Sequence, residues 1–202
     1  MKLPTELYSS QCARWPSAGE HILAHYDDES IVVYQAYRPS IGQYAIKHGR
    51  FGGPDFSLNR MSWIKPNFLW MMYRSGWGAK EGQEVILGLR VRRAFFDGVL
   101  AQAVASTYQR DRYASREAWK AAVEASEVRL QWDPDHDPQG GKLARRAVQL
   151  GLRGKTLEAF AGRELMEVID MSPFVGEQRS LALAGDSMLR TPTEAVYTPV
   201  FA

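Results

Sequence analysis

A single cysteine, Cys12, is all the thiol this 202-residue chain holds. No intramolecular disulfide framework can therefore support the fold, as fits a reducing compartment. Cys12 is expected in an irregular N-terminal stretch with no basic motif around it, which argues against a nucleophile. An excess of one charge is missing too. Lys and Arg number 25 against 23 Asp and Glu, a formal net charge of +2, which excludes a polycation built to coat nucleic acid. The longest apolar stretches, such as Phe68 to Tyr73, fall far short of the roughly 20 residues a membrane span needs. The start, MKLPTELYSS, has no apolar segment after Lys2 to serve as a secretory signal. The expected address is the cytoplasm, with no membrane partner. There is no internal repeat, Walker A loop, GxGxxG, CxxC pair or GxSxG elbow.

What is present is apolar and aromatic mass. Hydrophobic residues make up 45% and aromatics 11%, enough to bury a core and too much for a disordered chain. Among the basic residues 18 Arg outnumber 7 Lys. A planar guanidinium suits carboxylate and phosphate, although GC-rich codon usage produces the same bias.

The pattern along the chain predicts an α+β fold. Its expected form is a single domain, a small mixed or antiparallel sheet flanked by helices. The core spans about 14–173, with the N-terminal stretch and the 174–202 tail peripheral. IVVYQAY at 31–37 is the best strand, and EVILGLRV at 84–91 and VRLQW at 128–132 are two more. Pro39 opens a helix that Gly49 stops, and Pro66 suits the first turn of a second, NFLWMMYRS, closed by Gly76 and Gly78. Further helices are expected near 93–106, at 115–126 with Ser115 as cap, at 141–151, and at 156–169 capped by Thr156. The tail is expected to hold a short strand at 195–201.

Three segments concentrate chemistry. In Tyr34-Gln35-Ala36-Tyr37-Arg38, alternation puts Tyr34 and Ala36 on one face, Gln35 and Tyr37 on the other. A strand end running into a helix start suits an anion or nucleotide, and equally suits a half-buried strand with a solvated Arg38. The run from Arg60 to Trp77 carries a Met and aromatic stripe of the kind that usually fills a core. Yet Arg60, Ser62, Lys65 and Arg74 interleave with Trp63, Trp70 and Trp77, a mixture suited to a stacked, phosphate-bearing ligand. In Gln131-Trp132-Asp133-Pro134-Asp135-His136-Asp137, Gln131 and Asp133 project to one side of a strand. A turn, a catalytic carboxylate and a hard-metal site remain open for this cluster, although no HExxH or EF-hand pattern is present.

Taken together, IVVYQAYRPSIGQYAI, RMSWIKPNFLWMMYRSGWG, RLQWDPDHD and RRAVQLGLRG resemble the family called domain of unknown function 4291, from about Arg14 to Pro173. That resemblance implies no activity. A second one does. The order of Tyr-x-x-Tyr-Arg strand, helix, Ser-bearing segment and hydrophobic strand is similar to the ADP-ribosyltransferase superfamily, which uses NAD. The resemblance implies that Arg38 or Gln35 holds NAD phosphate or ribose and that Ser62 supports the nicotinamide ribose. It implies that Trp63 or Tyr37 stacks on the ring, and that Asp133, paired with Gln131, stabilises charge on the sugar. Gln35 stands where that family has His, and Asp133 is shorter than its usual Glu. A nucleic acid acceptor is implied by the related RNA 2′-phosphotransferases. The alternatives are a non-enzymatic RNA- or nucleotide-binding module on Trp63, Trp70, Trp77, Arg60 and Arg74, and a metal-dependent nuclease on Asp133, Asp135 and His136.

Overall fold

The computed structural model describes residues 3–200. The chain opens with β1 (Thr5–Leu7), α1 (Tyr8–Cys12), β2 (Gly19–Glu20) and β3 (Ile22–Ala24). It then enters β4 (Ser30–Tyr37), the β-branched and aromatic run. Helix α2 (Pro39–His48) starts on a proline whose missing N–H is no loss in a first turn. It ends at Gly49, where a φ of 64° suits a residue without Cβ. After β5 (Ser62–Ile64), helix α3 (Phe68–Ser75) begins at Asn67, whose side chain accepts a 2.7 Å hydrogen bond from the Trp70 N–H. Next come β6 (Val85–Arg92), α4 (Arg93–Ala101), β7 (Val104–Ala105) and α5 (Arg116–Ala125), the last capped by Ser115 as expected. The chain continues through β8 (Val128–His136), β9 (Lys142–Leu152), α6 (Gly154–Ala161), β10 (Leu165–Asp170), α7 (Ser172–Ala184), β11 (Arg190–Pro192) and β12 (Ala195–Tyr197).

The α+β expectation holds, with four local corrections. The predicted helix at 141–151 is the long strand β9. Its Ala, Arg, Gln and Leu favour a helix locally, but β8 pairs along one edge while β2 and β5 pair along the other. Such partners override intrinsic propensity. The predicted helix at 156–169 stops at Ala161, and the remainder is β10 against β6. The cap of α6 is not Thr156 but the carboxylate of Glu127, which accepts from Lys155 N, Thr156 N and the Thr156 hydroxyl. Helix α4 ends at Ala101, short of the expected 106, because Val104 and Ala105 pair with β8. The segment after 173 packs inward, with Val175, Ala182, Leu189 and Tyr197 buried.

Strands β10, β6 and β4 form one antiparallel sheet, and β2, β5, β9, β8 and β7 form a second. A main-chain pair joins them. Tyr34 N–H donates to the Lys65 carbonyl at 2.7 Å, and Lys65 N–H returns a bond to Tyr34 at 3.2 Å. The combined sheet therefore curls. Alternation along β4 sends Ile31 and Val33 into one core with Leu150, Phe96 and Phe160, and Val32 and Tyr34 into another with Phe68, Met72 and Trp77. No helix among the described residues is long and apolar enough to cross a membrane.

Candidate functional site

Where β4 runs out into α2, the curl leaves a cavity of about 600 Å³ between the two sheets. Gln35, Tyr37 and Arg38 line it from the β4 end, and Arg60, Ser62, Trp63 and Lys65 from the segment through β5. Arg74 comes from the end of α3 and Gln131 from β8. Nine residues singled out in three separate stretches of sequence thus share one wall. The other two do not. Tyr34 is fully buried on the opposite face of β4, packed edge-on against Phe68, and belongs to the core rather than to any ligand site. Asp133 is not part of the lining; it stands one residue behind it, accepting a 2.7 Å hydrogen bond from Gln149, which does line the cavity.

The wall is organised by amides. Gln35 donates to the Ser62 hydroxyl at 2.7 Å and to the Trp63 carbonyl at 3.0 Å, and its own carbonyl accepts from Tyr37. These bonds hold Ser62 and Trp63 in place and make Gln35 a positioning residue of the wall. The Tyr37 and Ser62 hydroxyls are 2.9 Å apart. Burial pushes the Tyr37 phenol up to about 12, against the smaller opposite pull of Ser62 and Gln35, so it remains a proton donor. On the facing strands Gln149 donates to Gln131 at 2.9 Å as well as to Asp133. Both N–H groups of Gln149 are thereby used, and its carbonyl is left without a partner among the described residues.

The electrostatics lean one way. Four cations line the cavity, Arg38, Arg60, Lys65 and Arg74, against the single carboxylate of Asp55. None of these cations forms an ion pair among the described residues; Arg74 instead meets the side-chain amide of Gln83. Such a concave, one-signed wall attracts anions. Gln149, Asp55 and Gln83 were not anticipated from sequence. The signal for Gln149 was available only through pairing, since it lies directly opposite Gln131 across β8 and β9.

The remaining expectations separate in space. Trp70 and Trp77 are buried, the indole of Trp77 donating to the Pro138 carbonyl, so Trp63, Trp70 and Trp77 do not share a surface. In the acidic cluster, Asp135 is 1% exposed and gripped by Arg145 at 2.7 Å. The His136 ring lies face to face on Tyr73, with centroids 3.4 Å apart. Among the described residues no group of His, Cys, Asp and Glu is placed to hold a metal ion.

A family model described as Domain of unknown function (DUF4291) matches residues 21–197. The match takes in the C-terminal segment to Tyr197, beyond the motifs that carried the resemblance in sequence. A search of curated proteins found no match.

Proposed function

The chain belongs to the DUF4291 family, whose model names no activity, and we propose that its cleft binds a nucleotide and acts as an NAD-dependent transferase. One observation carries this reading: four cations without a carboxylate partner share a cavity with an indole and a pair of ordered hydroxyls. The chemistry of that set suits each part of NAD. Arg38, Arg60 and Arg74 take the diphosphate, because guanidinium forks match phosphate oxygens. Trp63 stacks on a ring, and Tyr37 and Ser62 hydrogen-bond to ribose hydroxyls.

Transfer begins as the bond between ribose and nicotinamide loosens and positive charge develops on the sugar. A fixed negative charge nearby stabilises that state. Asp133 supplies the charge from just behind the lining, across the Gln149 amide that it holds beside Gln131. The acceptor is a nucleic acid or a small nucleophile that enters the open side of the cleft.

Asp133→Asn tests the assignment, because an Asn carbonyl still accepts from Gln149. Nicotinamide release from NAD is expected to fall by about 10²–10³, with the melting temperature unchanged. Undiminished release from that variant would overturn the role of Asp133. Absence of NAD binding by the wild-type chain would overturn the reading itself.

A further inference from the structure

We infer that Lys65 is a covalent nucleophile, its ε-amine condensing with the carbonyl carbon of a phosphate-bearing aldehyde or ketone held in the cleft. The inference rests on the cleft being a phosphate site and adds a reaction to it. Lys65 lines the cavity yet is only 4% exposed. Its main chain is clamped on both sides to Tyr34 of β4, and the following Pro66 restricts it to extended backbone. The amine sits 5.3 Å from the centre of the Trp70 ring and has no hydrogen-bond or ion-pair partner among the described residues. A buried lysine with a purely structural task is normally paired. This one is not.

The charged groups around it come from several elements. Arg74 faces it from α3 and Asp133 from β8. Arg38, after β4, and Asp55 and Arg60, before β5, stand in the same wall. Burial first, and Arg74 second, bring the amine down to about 8, while Asp133 pulls the other way. Near neutral pH a far larger share of Lys65 is then neutral than of an ordinary lysine. A neutral amine is what a carbonyl carbon requires.

The reaction balances without a metal or an oxidant. The nitrogen lone pair bonds to the carbonyl carbon, and the carbonyl π pair moves to oxygen, which gains a proton as the nitrogen loses one. The resulting carbinolamine expels water to leave a carbon–nitrogen double bond. Tyr37 and Ser62, in the same cavity, offer hydroxyls to relay protons to the departing oxygen. Phosphate held by Arg38, Arg60 and Arg74 makes the encounter effectively intramolecular.

Pyridoxal 5′-phosphate is the probe, added in equimolar amount to the full chain, trapped with borohydride and mapped by peptide mass spectrometry. Lys65 is expected to carry at least about tenfold more label than Lys47, Lys80, Lys120, Lys142 or Lys155, rising with pH through about 8. Excess inorganic phosphate should suppress it, and pyridoxal without phosphate should label far more slowly. Lys65→Arg keeps the charge and should lose the dominant adduct. Even labelling of all lysines, or an undiminished adduct in Lys65→Arg, overturns the inference. If NAD binds the cleft but Lys65 is not preferentially labelled, only the covalent role fails. If Lys65 is labelled and neither phosphate nor NAD competes, the phosphate reading fails and this inference fails with it.

Discussion

Arg145 and the arginines of the cleft are the same residue put to opposite uses. Arg145 is buried, with its guanidinium on Asp135 at 2.7 Å, on the Pro16 carbonyl at 2.6 Å and over the Trp15 ring. The remaining oxygen of Asp135 accepts the His136 N–H. That pair joins the N-terminal segment to the β8–β9 hairpin and leaves nothing for a ligand. Arg38, Arg60 and Arg74 are exposed, face one cavity and have no carboxylate. Asp133 and Asp135 repeat the contrast two residues apart on one strand: the first borders the cleft through a neutral amide, the second is locked in an ion pair. Charge that serves the fold is paired, and charge available to a ligand is not.

The most forceful way to break this comparison is to strand Arg145. Asp135→Ala should destabilise the chain by about 3–5 kcal/mol in denaturant unfolding, because it leaves a buried cation uncompensated. A loss below about 1 kcal/mol would show that the pair is not structural. Gln35→Leu, within the cleft, should cost about 1–3 kcal/mol by releasing the Ser62 hydroxyl and the Trp63 carbonyl. It should also weaken nucleotide binding, and unaltered binding would refute its positioning role.

A smaller effect, read in pH, concerns Glu194. It is buried and accepts from the Phe68 N–H at 2.8 Å. Burial, with help from Asp135, raises its carboxyl well above the usual 4.5, outweighing that hydrogen bond and Arg145. The folded chain therefore binds this proton more tightly than the unfolded chain does. Its contribution is favourable at low pH and is lost as pH climbs above about 4.5 towards the raised value. Glu194→Gln keeps the acceptor for Phe68 and should remove that decline. Parallel stability profiles of wild type and variant between pH 4 and 8 would contradict the assignment.

How far sequence reached into this site depended on whether each signal was local. Pro39, Gly49, Gly76 and Ser115 act within a turn of themselves, so α2, α3 and α5 were readable, while the start of α3 at the Asn67 cap, after Pro66, was not. Alternation separated Gln35 and Tyr37 from Tyr34, but it does not say which face meets solvent; the packing of Phe68 against Tyr34 decided that. Gln149 was invisible because Ala-Arg-Arg-Ala-Val-Gln-Leu reads as helix until β8 pairs with it. The tryptophans near α3 carried no mark to distinguish Trp63, in the cleft, from Trp70 and Trp77, in the interior.

Calorimetric titration of NAD into the wild-type chain and into a double variant, Arg38→Gln with Arg74→Gln, tests the central claim most directly. Two salt concentrations should be used. The account predicts wild-type binding that weakens with salt, and at least about tenfold weaker binding by the double variant. Stability should change by no more than about 0.5 kcal/mol per substitution, since both side chains are exposed. A wild-type chain that binds no NAD, or a double variant that binds it as tightly, would contradict the account.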